Sequence, residues 1–225
     1  LIAHLAAHTS SVRLGSGGVM LPNHAPLAVA EQFALLEAAH PGRIDLGIGR
    51  APGSDPVTSL ALRGAAGRDE RDIEAFPEYL DDVVKLMSST GVRVPLPRDL
   101  MRDNYILKAT PAAASEPRLW LLGSSMYSAH LAAAKGLPYV FAHHFSGEGT
   151  ERALEIYRRE FRPSEALAAP RTFLTVNAAV AETEAEARRR ARPQQLMMLA
   201  LRTGSPLGPQ LSVEEAEAVE LPASH

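Results

Sequence analysis

Apolar runs that read as strands alternate with longer stretches of helical spacing five times along this chain, and few folds accommodate that rhythm. The strand-like runs are "VRLGSGGVML" (12–21), "RIDLGIG" (43–49), "RLWLLG" (118–123), "LPYVFAH" (137–143) and "RTFLTVNAAVA" (171–181). Strands that are apolar throughout predict a sheet covered on both faces, hence a parallel one. Between them, Pro26 opens the helical stretch "PLAVAEQFALLEAAH", and Pro41-Gly42 stops it. Residues 69–87 have a helical pattern with a kink or restart at Pro77. "SSMYSAHLAAAKG" is a short helix closed by Gly136, and "GEGTERALEIYRREF" and "ETEAEARRRARPQQLMMLALR" are two more. Residues 1–9 read as the tail of a helix. Residues 90–117, apart from a short "YILKA" piece, and 203–225 read as irregular.

Two α/β architectures fit: a doubly wound sheet and a (β/α)₈ barrel. A barrel needs eight strand–helix units and typically about 250 residues. This chain has 225 residues and five strand-like runs, so as a barrel it is incomplete. Charged residues make up 22% and the net charge is −3, with the arginines scattered, so no polyanion or nucleic-acid partner is indicated. The absence of cysteine excludes a disulfide scaffold, thiolate catalysis and Cys-ligated zinc, and fits a reducing compartment. No run approaches the roughly 18 apolar residues of a membrane helix, so no membrane partner is expected.

The stretch "RIDLGIGRAPGSDP" (43–56) poses the functional question, because a buried strand there ends in Arg50 and a turn. A dinucleotide fingerprint needs three spaced glycines. Gly47 and Gly49 supply two, but Pro52 takes the third place; Gly15 and Gly17 fail likewise at Met20. "LLGSSMYS" (121–128) lacks the last glycine of a nucleophile elbow, since Tyr127 stands there. Its serines have two readings. Ser124 or Ser125 caps the following helix, or Ser124, Ser125 and Ser128 join the free N–H groups of that helix start to hold an anion. His143 and His144 are strand neighbours pointing to opposite faces, so they do not share a metal. "ETEAEARRRAR" is a solvated helix face, acidic early and basic late, as the macrodipole favours.

Three stretches together resemble the bacterial-luciferase-like family of flavin-dependent monooxygenases. "GSGGVMLPNHAPLAVAEQFALLEAAHPGRIDLGIGRAPG" is similar to its strand 3 to strand 4 region, "WLLGSSMYSAHLAAAKGLPYVFAHHF" to strands 5 and 6, and "RTFLTVNAAVA" to strand 7. The resemblance implies a TIM barrel that binds reduced flavin mononucleotide (FMN) at its C-terminal face. In that register the chain runs from helix 2 to about helix 7 as one partial barrel domain, 1–225, with an irregular insertion at about 90–117 and an irregular tail at about 203–225. Strands 1, 2 and 8 fall outside it. With the chain opening on Leu1 inside a helical pattern, the start of the protein is likewise expected upstream. Open sheet edges predict that this chain is unstable or aggregates unless the missing parts are supplied.

The resemblance also assigns roles. Arg50 would pair with the flavin phosphate, a task suited to a permanently charged fork of donors. Ser125 and Ser128 match the family's phosphate-contacting hydroxyls, and Ser124 stands where some members carry a carboxylate. Gly17-Gly18 falls where members often carry a non-proline cis peptide beneath the flavin ring, so a cis bond or a positive φ is expected there. The catalytic histidine of some members would precede Leu1, so no acid or base is assigned within the chain. The implied protein is a cytoplasmic bacterial homodimer. It oxidises a small organic substrate with oxygen, and a separate flavin reductase supplies its reduced flavin. The alternatives are a deazaflavin (F420)-dependent oxidoreductase on the same fold, a non-catalytic flavin-binding subunit, and an unrelated phosphate-binding barrel enzyme.

Overall fold

The computed structural model describes residues 1–51, 53, 56–63, 71–94, 105–206 and 208–220. It divides into two compact units, Leu1–Ala142 with Ser146–Leu174, and His143–Phe145 with Thr175–His225.

The first unit is built on a parallel sheet. Its strands are β1 (Leu14–Gly15), β2 (Val19–Met20), β3 (Ile44–Gly49), β6 (Arg118–Gly123) and β7 (Tyr139–Phe141), in the order β1-β3-β6-β7, with β2 also on β3. Ile44, Leu46 and Ile48 alternate along β3 and are completely buried. Each such side chain contributes about 1.5–3 kcal/mol on leaving water. With Leu119, Leu121, Tyr139 and Phe141 they form the sheet side of one core. Helices supply the other side. In α2 (Pro26–Ala39) the buried residues are Val29, Ala30, Phe33, Ala34 and Glu37, the three- and four-residue spacing of one helix face. α5 (Phe76–Met87) buries Phe76, Leu80, Val83 and Leu86. α6 (Met126–Lys135) buries Ala129, Ala132 and Ala133 and ends at Gly136 with φ 62°, which a residue without Cβ adopts freely. α8 (Thr150–Glu160) adds Ala153, Ile156 and Tyr157. Helices α1 (Ile2–Ala7), α3 (Pro56–Arg63) and α4 (Arg71–Glu74) complete this unit. The helical pattern of 69–87 is thus broken between α4 and α5, with Pro77 in the first turn of the second piece; residues 69 and 70 lie outside the described residues.

The second face of β3 carries Asp45, Gly47 and Gly49, and β6 turns a half-buried Trp120 and Leu122 the same way. A parallel α/β sheet with helices on one face and an unclosed run of strands is an incomplete (β/α)₈ barrel. The expected parallel pairing is present throughout this sheet.

Five expectations need correction. Residues 12–21 are two short strands rather than one, interrupted at a cis Gly17-Gly18 bond. Ser16 bridges the gap: its hydroxyl donates to Gly47 O at 2.8 Å and accepts from Gly47 N–H at 3.0 Å, replacing the missing ladder bonds. Residues 90–117 include an antiparallel pair, β4 (Val92–Val94) with β5 (Tyr105–Leu107), while 95–104 lie outside the described residues. The strand expected over 137–143 ends at Phe141, and His143–Ser146 is a helical turn, α7, so the two histidines are not strand neighbours. Residues 171–181 form no strand. Tyr139 N–H donates to Arg171 O at 3.0 Å, but farther along Thr175 and Asn177 turn their side chains to His144 instead of continuing a ladder. A strand requires a neighbour at successive residues, and apolar composition does not supply one. Finally, the irregular tail contains α10 (Val213–Glu217), opened by a capping box between Ser212 and Glu215.

The second unit holds α9 (Glu184–Thr203), capped by Thr183 and closed by Gly204, together with α10. Arg192 donates to Ala216 O and Val219 O, each at 2.7 Å, which ties the two helices together. The solvated face expected for α9 is present: Arg188 and Arg190 pair with Glu184 and Glu186 one turn earlier. Hydrogen bonds from Arg189 and Arg190 lower the Glu186 pKa to about 2.

Candidate functional site

The strand register defines one end of the sheet. Met20 pairs with Gly49, Gly49 with Leu122, and Gly123 with Phe141. Arg50 follows Gly49 directly, and the turn Ser124-Ser125 follows Gly123, so two adjacent strands deliver both segments to the same edge. That is the C-terminal edge, where barrel enzymes carry their chemistry.

Among the described residues, the Arg50 guanidinium meets no carboxylate or carbonyl. It lies over the Tyr127 ring, with Cζ 4.1 Å from the centroid. Tyr127 belongs to the first turn of α6, so this cation–π contact joins the end of β3 to the start of the helix after β6. Asp55, the other conceivable partner of Arg50, lies outside the described residues.

The three serines differ. Ser125 is the N-cap of α6 in position and backbone conformation, φ −129° and ψ 162°, yet its side chain makes no cap hydrogen bond. It is exposed, as is Ser124. The first N–H groups of α6 therefore keep their capacity to bind an anion. Ser128 is 6% exposed. Its hydroxyl donates to Ser125 O at 2.7 Å and lies 3.1 Å from the Tyr139 hydroxyl. Its single proton is given to Ser125, so Tyr139 is the donor in the second bond. Burial raises the Tyr139 pKa, so the phenol remains neutral. Ser128 thus braces the turn from beneath. The structure brings Arg50, Ser125 and Ser128 to one place but commits the Ser128 hydroxyl internally. Neither reading of the sequence anticipated Tyr127 or Tyr139; Arg50 stacking on an aromatic ring is a contact between distant segments with no local signal.

The glycines divide similarly. A Cβ on Gly18 would lie 2.5 Å from Leu122 Cδ1 and 2.8 Å from Gly47 O, so neighbouring strands account for its lack of a side chain. A Cβ on Gly17 would meet nothing within 4 Å. Of the pair expected beneath a flavin ring, Gly17 is the one whose bare side faces open space. Gly47 is demanded by packing, because its Cβ would fall 2.1 Å from Ser16 O. Of the two glycines of β3, Gly47 records close strand approach, whereas a Cβ on Gly49 would meet Leu122 O at an ordinary 3.8 Å. The site has the means to hold a phosphate: a guanidinium over an aromatic ring, an exposed hydroxyl and an uncapped helix start.

The model of the luciferase-like monooxygenase family matches residues 1–220, and the chain belongs to that family. It is 43% identical over 204 residues to a luciferase-like monooxygenase of Escherichia coli (strain K12), covering 91% of this chain and 57% of the relative. It is 40% identical over 222 residues to the protein YvbT of Bacillus subtilis (strain 168), covering 99% of this chain and 62% of the relative. The chain therefore spans about three-fifths of the length of these relatives. Among solved structures it is similar to apo-MsnO8, with a TM-score of 0.77 and 35% identity over 96% of this chain and 60% of that one. The oxygenating constituent of 3,6-diketocamphane monooxygenase from Pseudomonas putida, solved with FMN, shares the fold at a TM-score of 0.65 and 21% identity, covering 90% of this chain and 60% of that one. An F420-dependent secondary alcohol dehydrogenase does so at 0.58 and 16%, covering 96% and 65%. Among the described residues no helix is long and apolar enough to cross a membrane.

Proposed function

We propose that this chain carries the phosphate end of a site for reduced FMN, and that the protein is a flavin-dependent monooxygenase acting with oxygen on a small organic substrate. The observation that carries the reading is the meeting of Arg50 with the uncapped Ser125 turn at the ends of two adjacent strands. Arg50 would fork two donors to the phosphate, and Ser125 and the first N–H groups of α6 would complete the shell. Ser124 lies beside them on the same turn, and Gly17 leaves space for the ring system. When bound, the flavin supplies the oxygen chemistry. The protein's part here is to bind, orient and brace. A separate flavin reductase would supply the reduced cofactor, and the protein would work as a homodimer.

The test is a pair of titrations, FMN and riboflavin, on wild type and Arg50→Ala. One lost charge-assisted bond is worth about 1.5–3 kcal/mol, so FMN binding should weaken by roughly ten- to a hundred-fold while riboflavin binding stays level. Equal small losses for both ligands, with a lower melting temperature, would instead make Arg50 a local structural residue and remove the phosphate role. A deazaflavin (F420) cofactor is the second reading, favoured by the fold shared with the F420-dependent alcohol dehydrogenase. Oxygen consumption with reduced FMN, set against oxidation or reduction of the deazaflavin, separates the two.

A further inference from the structure

We infer that Tyr127 is a positioning residue for cofactor selectivity: its ring holds Arg50 at the phosphate end of the site, and the preference for FMN over riboflavin depends on that ring. The inference rests on the phosphate reading above and adds a residue to it.

Arg50 lies at the end of β3, followed by turn-rich sequence, and an arginine there has many rotamers to choose from. What restrains it among the described residues is the Tyr127 face at 4.1 Å. Tyr127 is anchored in turn. It sits in the first turn of α6, whose next residue, Ser128, is 6% exposed and bound to both Ser125 O and Tyr139. The ring is 38% exposed, so it is not a core side chain whose packing alone would explain it. A guanidinium held over an aromatic face, rather than by a carboxylate, keeps its N–H donors available to fork onto an anion. A carboxylate partner would occupy those donors. The ring therefore fixes direction without consuming the group that does the binding.

The prediction is specific to the ring. On the full chain, Tyr127→Leu should lower the ratio of riboflavin to FMN dissociation constants by about three- to tenfold, read by flavin fluorescence quenching. Tyr127→Phe keeps the face and should stay within about twofold of wild type. Arg50→Ala should collapse the ratio, and adding Tyr127→Leu to it should do nothing more, because the ring acts through the arginine. Should the leucine variant fail to fold, Tyr127→Gln, also ringless, replaces it with the same expected loss. If Arg50→Ala collapses the ratio and the ringless variants leave it unchanged, Tyr127 has no such role while the phosphate reading stands. Ringless variants that weaken both ligands equally would show a structural residue and overturn the inference. An unchanged ratio in Arg50→Ala would overturn both.

Discussion

The two ends of β3 each carry an arginine, and the two are used in opposite ways. At the start, Arg43 donates to Val12 O, Ala6 O, Thr9 O and the Thr9 hydroxyl, and so ties the end of α1 to the sheet. Beside it, Arg13 grips both oxygens of Asp45, at 2.9 and 2.7 Å, and also donates to Gly42 O and Ile44 O. Trp120 adds a third donor to Asp45 at 3.2 Å. Glu37, 1% exposed, accepts from Gly42 N–H and the Ser115 hydroxyl. At the far end, Arg50 has only a ring beneath it among the described residues, and Ser125 caps nothing. Arg43, Arg13 and Asp45 at the N-terminal edge are spent on the protein, whereas the Arg50 guanidinium and the Ser125 hydroxyl at the C-terminal edge make no hydrogen bond among the described residues. Along one six-residue strand the polar bonding differs by direction, and the proposed site lies at the end where barrel enzymes carry their chemistry.

The largest expected effect comes from the strand centre, on which both ends depend. Gly47→Ala would drive a methyl group into Ser16 O, a backbone atom that cannot step aside. The expected loss is about 3 kcal/mol in urea denaturation, with cofactor binding lost alongside stability. A variant as stable as wild type would show that the two strands are not pressed together there.

Asp45→Ala sharpens the contrast between the ends. It removes the acceptor of Arg13 and Trp120 at a partly exposed site, so the loss should be about 1–2 kcal/mol. The FMN-to-riboflavin preference should not move, because nothing at the C-terminal edge changes. A shift in that preference without a change in stability would mean that the two ends are coupled and the division is false.

Legibility in the sequence followed the same physical line. α2, α6 and α8 were readable because burial imposes three- and four-residue spacing, and Pro26 and Gly136 punctuate it. β3 and β6 were readable as apolar runs between turns. Residues 171–181 look the same by composition, yet Phe173, Leu174, Val176 and Val180 are exposed. Strand identity belongs to a pair of segments, and one segment alone does not disclose it. β4 was hidden for that reason too, while β5 falls on the "YILKA" piece that stands apart from the irregular residues around it. The capping box at Ser212 and Glu215 was visible as a motif but was masked by the glycines and prolines around it. In the site, Arg50 stood out because a strand ending in a charge is unusual. Its ring partner and the Tyr139 brace depend on contacts between β3, α6 and β7, which no local pattern encodes.

The smallest expected effect decides what Ser128 does. The family resemblance makes its hydroxyl a phosphate contact, whereas the structure engages it between Ser125 O and Tyr139. Tyr139→Phe separates these accounts by sign. The substitution removes one buried hydrogen bond, so stability should fall by about 1 kcal/mol either way. If Ser128 is a brace, losing its donor loosens the Ser125 turn, and FMN affinity should fall about two- to threefold, within the range of a single neutral hydrogen bond. Riboflavin affinity should hold, since in the proposed site the turn would touch only the phosphate. If Ser128 instead reaches the phosphate, release from Tyr139 frees it to do so, and FMN affinity should hold or rise. Because burial holds the Tyr139 pKa above its ordinary value, the brace does not titrate near neutral pH, and the difference between wild type and Tyr139→Phe should be the same at pH 6 and pH 8.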